Sequence, residues 1–132
     1  MKHLPFVSLI LTAIIYAAFG IAFLISPQII ELSGITISDS IGAIEIRGFY
    51  GGLEVGIALF FGLSAFNNHW HIPALLLQSL SFGGMAAGRL IGIILCGCWS
   101  PLIIVLMAAE TTGMLVGIIA FRQTKKYNYV NL

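Results

Sequence analysis

The chain has 132 residues, of which 59% are hydrophobic and 8% charged, with a formal net charge of +1; ordinary soluble domains carry roughly 25% charged residues. That balance excludes a soluble globular domain and describes a single integral membrane domain whose first partner is the lipid bilayer. The few Lys and Arg residues are too scattered to track phosphates, so nucleic acid is excluded as a partner.

Four apolar stretches occur in chain order, at residues 4–25, 43–66, 72–95 and 102–121. Each is close to the ~20 residues needed to cross ~30 Å of hydrocarbon. The fold class expected is all-α, a four-helix transmembrane bundle. The first stretch comes after Lys2 and His3 but is too long for a signal-peptide core and lacks an A-x-A-like end, so it reads as a retained helix stopped by Ser26-Pro27. Ser8, Thr12 and Tyr16 give it one thin polar stripe, read as a packing feature. Residues 26–42 form a long first connection in which residues 27–33 suit a short interfacial helix before Gly34, with Glu31 toward water. Between the second and third stretches, residues 67–71 include His69, Trp70 and His71, which read as an interfacial anchor. After the fourth come Arg122, Lys125 and Lys126, then a short polar tail holding Tyr127 and Tyr129.

The first connection contains Glu31 and Asp39 but no Lys or Arg, and the third, residues 97–101, has no charge. With an even number of spans and basic residues flanking both ends of the chain, the positive-inside rule places both termini in the cytoplasm.

Against this apolar background stand Arg47 and Glu54 in the second stretch, Arg89 in the third and Glu110 in the fourth. Ionisable residues at such positions must face protein or water and find partners. At 1.5 Å per residue, Arg47 lies about 6 Å and Glu54 about 16 Å from the outer end of the second helix. By the same rise Arg89 is about 9 Å and Glu110 about 12 Å deep, so all four fall between the outer interface and the midplane. Arg47 and Glu54, seven residues apart, share a face in a regular helix, with Tyr50 and Gly51 between them.

Glycine spacing indicates the packing faces. Gly48, Gly52 and Gly56 form a four-residue repeat on the second helix, Gly84, Gly88 and Gly92 another on the third, and Gly113 with Gly117 a shorter one on the fourth. Small residues at this spacing allow close approach of helices in lipid. A tight glycine zipper between the second and third helices is therefore expected, with Arg47 and Arg89 near it.

The run Glu45-Ile46-Arg47-Gly48-Phe49-Tyr50-Gly51-Gly52-Leu53-Glu54 resembles the E-x-R-G-x-Y-G-G-x-E signature of a bacterial family of small four-span membrane proteins, domain of unknown function 4345. Gly88-Arg89-Leu90 and Glu110 look like that family's later motifs. The resemblance covers nearly the whole chain, marks Glu45, Arg47, Gly48, Tyr50, Gly51, Gly52, Glu54, Gly88, Arg89 and Glu110 as family-type positions, and implies a four-helix membrane fold without implying an activity.

Read from the residues, the four charges point to an outer-leaflet polar pocket that binds, and could convert, a small or lipophilic molecule. Glu54 and Glu110 are the candidate acid–base groups; Arg47 and Arg89 would hold anionic or carbonyl oxygens, with Tyr50 beside them and Glu45 at the mouth. Two alternatives belong to other classes. One is a structural or assembly partner in which a net-neutral, buried salt-bridge network fixes helix packing, a role that desolvation makes poor evidence for stability. The other is a small proton-coupled transporter, working as a homo-oligomer, for which Gln78, Ser79 and Ser81 would have to wet an inner path. Whether the protein is an enzyme stays open. Cys96 and Cys98 form C-x-C without a second pair or nearby His to complete a zinc site, and read first as small residues at a helix end; pairing in an oxidising compartment, across a loop short enough to be strained, is the open alternative, and no metal or cofactor is implied.

Overall fold

The computed structural model describes residues 3–130, with side chains through 126. Lys2, one of the charges that set the expected orientation, lies outside the described residues, as do the side chains of Tyr127 and Tyr129. The protein is all-α, with no strand among the described residues. Helix α1 spans Leu4–Ile25, and a 3-10 helix comes next over Pro27–Ser33. Helix α2 covers Ser40–Ile46, a π-helical segment Arg47–Gly52, α3 Leu53–Ala65, α4 Asn68–Cys96 and α5 Pro101–Val130.

Among the described residues, four helices are long and apolar enough to cross a membrane: Leu4–Ile25, Ser40–Ala65, Asn68–Cys96 and Pro101–Lys126. Ile25, Leu63, Phe66, Ile94 and Leu95 are each at least two-thirds exposed. Such a surface is an aggregation hazard in water and an ordinary one in lipid. These features mark an integral membrane protein.

Capping residues move the helix ends away from where hydropathy places them. Asp39 accepts a hydrogen bond from the Gly42 N–H at 2.8 Å, starting α2 at Ser40 instead of residue 43. Asn67 accepts from the His69 N–H at 3.1 Å, so His69, Trp70 and His71 form the first turn of α4 and not a connection. His71 is also tied through Nε2 to the Ala65 carbonyl at 3.0 Å. The polar tail continues α5 to Val130; no Gly or Pro interrupts residues 118–130, and Arg, Gln and Lys propagate a helix well. The 3-10 helix has the limits read from sequence, ends at Gly34 in the left-handed region (φ 83°), and leaves Glu31 exposed.

Backbone contacts divide the chain into two compact units, Ile10–Leu63 and a second comprising the residues up to Leu9 with those from Ser64 onward. In the Ile10–Leu63 unit the buried side chains include Thr12, Tyr16, Phe23, Ile30, Ala58 and Phe61. Tyr16 packs on Phe61 with ring centroids 5.7 Å apart, and Phe23 on Tyr50 at 5.6 Å. Here two spans come into backbone contact. A Cβ at Gly20 would sit 2.8 Å from the Val55 nitrogen and 3.0 Å from the Gly51 carbonyl oxygen, and one at Gly51 would sit 2.8 Å from the Leu24 side chain.

The other unit is built on an antiparallel hairpin of α4 and α5 joined by residues 97–100. Its seam has glycines on both helices: a Cβ at Gly83 would meet Met114 Sδ at 2.9 Å, and one at Gly113 would meet the Phe82 ring at 2.7 Å. At Gly117 it would meet Ser79 Oγ at 2.6 Å. Ser8 donates to Gln78 Oε1 at 3.0 Å, and Gln78 Nε2 donates to the Gly113 carbonyl at 3.1 Å. A fully buried amide thus links the start of α1 to both arms of the hairpin.

The glycine ridges behave otherwise. A Cβ at Gly48, Gly56, Gly84, Gly88 or Gly92 would have nothing within 4 Å, and one at Gly52 would approach nothing but the Arg47 carbonyl, at 3.7 Å. All six are exposed. The expected zipper finds no support: within its own unit each of these glycines presents an open face, and close approach occurs at Gly20 and Gly51 in one unit and at Gly83, Gly113 and Gly117 in the other. Four-residue glycine spacing records a smooth helix face and carries no information about what covers it.

Candidate functional site

Arg89 and Glu110 meet across the α4–α5 hairpin. Arg89 Nη1 donates to Glu110 Oε1 as a charge-assisted ion pair. The geometry arises from the antiparallel register. Arg89 lies about 10 Å from the C-terminus of α4 and Glu110 about 13 Å from the N-terminus of α5, so both fall at similar depth in the half of the hairpin nearest its turn. The ends are fixed by Gly97, whose left-handed φ of 65° and N–H bond to the Ile93 carbonyl stop α4, and by Pro101 at the start of α5.

The two members of the pair are unequally buried. The Glu110 side chain is 9% exposed and that of Arg89 32%. Glu110 Oε2 is buried without a hydrogen-bond partner among the described residues. A buried carboxylate oxygen left unpaired costs more than a neutral one, and native structures rarely tolerate it without a reason. The pair therefore presents an unpartnered acceptor beside an Arg89 side chain that stays about a third exposed.

Arg47 and Glu54 belong to the Ile10–Leu63 unit. Arg47 Nε donates to the Leu24 carbonyl at 3.1 Å. Leu24 is in the last turn of α1, where carbonyls lack intrahelical partners and the helix dipole favours a cation. Arg47 thus caps α1, a task invisible in its own local sequence. Glu54 is half-buried, and its Oε2 too lacks a partner among the described residues. The two do not pair. Between them the helix widens into its π-helical turn, where the Leu53 N–H reaches the Gly48 carbonyl, and one extra residue in a turn rotates all later residues of the helix by about 100°. The face shared by residues seven apart in a regular helix is lost.

This corrects the expected salt-bridge network: among the described residues one ion pair forms, Arg89–Glu110. Tyr50 is half-buried between the rings of Phe23 and Phe49, each with centroids 5.6 Å away, and Glu45 is exposed on α2. Gln78 and Ser79, considered as an inner wet path, are buried and hydrogen-bonded, Ser79 to the Leu75 carbonyl at 2.8 Å. Ser81 bonds the Gln78 carbonyl at 3.2 Å. Cys96 and Cys98, whose oxidation the sequence leaves open, are joined by a disulfide.

Sequence reasoning missed the π-helical turn and the Leu24 carbonyl. The signal for the first was present in Gly48, Gly51 and Gly52, since glycine clusters accept wide or kinked turns. The second had none, because every residue carries a carbonyl.

No curated protein and no solved structure matches the chain. One family model does, over residues 6–121, and its description is Domain of unknown function (DUF4345). The match spans most of the sequence, including both members of the Arg89–Glu110 pair, and the chain belongs to that family.

Proposed function

We propose that the Arg89–Glu110 pair is a binding site, within the membrane, for a small or lipophilic molecule. The supporting observation is Glu110 Oε2, buried and unpartnered beside the partly exposed Arg89 side chain. A ligand completing this arrangement offers an anionic or carbonyl oxygen to Arg89 and an O–H or N–H to Glu110. Glu110 is then also the group placed to move a proton if the bound molecule is converted. Glu54, with its own unpartnered oxygen, keeps an equivalent candidate role in its unit.

Topology completes the reading. Arg122, Lys125 and Lys126 lie near the far end of α5 from the uncharged turn at 97–100. The positive-inside rule puts the basic end in the cytoplasm, both termini with it, and the Arg89–Glu110 pair in the outer leaflet of an inner membrane.

A structural role is the second reading. It is favoured by the position of the pair in the same seam as Phe82–Gly113 and Met114–Gly83, where an ion pair also sets register. Proton-coupled transport has less support, since Gln78, Ser79 and Ser81 are engaged in hydrogen bonds to protein.

Native mass spectrometry of the protein released from mild detergent, with lipid and metabolite extraction, tests the proposal. A bound small molecule should co-purify with the wild type and be lost from Glu110→Gln and Arg89→Gln, yet survive in Gln78→Leu, which weakens the hairpin without touching the pair. Loss of stability in all three variants with no molecule bound in any protein would assign the pair to packing alone.

A further inference from the structure

Cys96 is the last residue of α4 and Cys98 lies just beyond Gly97; a disulfide closes the two. Both cysteines are exposed, and so is Trp99 beside them. A disulfide stabilises a fold chiefly by restricting the unfolded chain, and the effect grows with the loop it closes. With a single residue between its ends, this one ties no second element to α4. Nor is it needed to end the helix, because Gly97 adopts the left-handed conformation and bonds the Ile93 carbonyl. It contributes almost nothing as a staple, while its sulfurs sit where a second molecule can reach them.

We propose that Cys96–Cys98 is a thiol–disulfide exchange site whose partner is a dithiol on the side of the membrane away from Arg122, Lys125 and Lys126. That side is the oxidising one when the basic end is cytoplasmic. One thiolate of the partner attacks Cys98 Sγ, the S–S bond breaks, and a mixed disulfide forms as Cys96 leaves. The Cys98 N–H, 3.1 Å from Cys96 Sγ, stabilises the departing thiolate; the negative end of the α4 dipole opposes it. The partner's second thiolate then attacks the mixed disulfide and releases Cys98. Two electrons and two protons have passed from the partner, now a disulfide, to Cys96 and Cys98, now thiols.

The test uses the full chain in detergent micelles with dithiothreitol as the dithiol, then acid quenching and labelling with a polyethylene-glycol maleimide. Native protein should shift by two labels per chain, keep its helical circular dichroism, and take up neither label when excess oxidised glutathione re-forms the disulfide before quenching. In Cys96→Ser, Cys98 should trap glutathione as a mixed disulfide when oxidised glutathione is added. Labelling that appears only after denaturation in sodium dodecyl sulfate would overturn the proposal. So would finding both thiols free when intact cells are acid-quenched and labelled, since the turn would then face a reducing compartment.

Discussion

Replacing Glu110 with Gln keeps its shape and removes its charge, leaving Arg89 without a counter-ion in lipid. Breaking a fully buried pair costs about 3–5 kcal/mol, and discounting for the third of Arg89 that remains exposed brings the expected loss to about 1–3 kcal/mol. Thermal unfolding in detergent should show this drop for Glu110→Gln and for Arg89→Leu, whereas Arg89→Leu/Glu110→Leu should recover most of it, because no orphaned charge remains. A double variant as unstable as the sum of the singles would remove the ion pair from the account. Arg47 belongs to a different argument. It bonds a carbonyl of the last turn of α1, so Arg47→Gln should cost about 1 kcal/mol as a lost cap and leave any co-purified molecule in place. Gln78→Leu removes bonds to Ser8 and to the Gly113 carbonyl, and interhelical bonds of this kind in membranes are worth about 0.6–2 kcal/mol each. The polarity of Gln78 suggests a water path; its actual bonds cannot be read from sequence, because its partners lie far along the chain.

At the scale of elements, the glycines separate into packed and open sets, and alanine substitution reads the difference. At Gly20 the obstacle is backbone, the Val55 nitrogen and the Gly51 oxygen, which cannot rotate away. Gly20→Ala should therefore destabilise by about 1–3 kcal/mol through overpacking. Gly113→Ala meets the Phe82 ring and should fall in the same direction. Gly84→Ala, Gly88→Ala and Gly92→Ala meet nothing within 4 Å and should stabilise by up to about 1 kcal/mol each, the gain in helix propensity. Unfolding midpoints across this set check the assignment, and destabilisation by the open-face variants would show that the face is covered. The sequence repeat at Gly113 and Gly117 coincides with a packed seam, while the longer repeats do not. Spacing alone cannot tell these apart, since both place small residues on one face. The π-helical segment belongs to this scale too. Deleting one residue from Arg47–Gly52 should restore regular pitch, turn Glu54 by about 100° and lower the melting temperature.

Across the whole molecule, hydropathy made four spans legible because crossing hydrocarbon demands length and apolarity and little else. Proteoliposome or spheroplast labelling of single-cysteine variants at residues 99 and 125 should report opposite sides of the membrane; the same side at both would overturn the topology. Helix ends were less legible, as Asp39, Asn67 and the uninterrupted polar run of α5 outweigh hydropathy at the boundaries. The residue types of the candidate site are legible in the sequence, and so are the similar depths of Arg89 and Glu110, since depth comes from counting residues along a helix. Composition and periodicity thus establish that this chain lives in a membrane and that its intramembrane charges need partners. Which partner each charge takes was decided in three dimensions: Arg89 with Glu110 through an antiparallel register, Arg47 with the end of α1, and Glu54 turned away from Arg47 by a widened helical turn. These outcomes depend on helix phase and on backbone atoms that every residue carries, so they become visible only when the helices are packed.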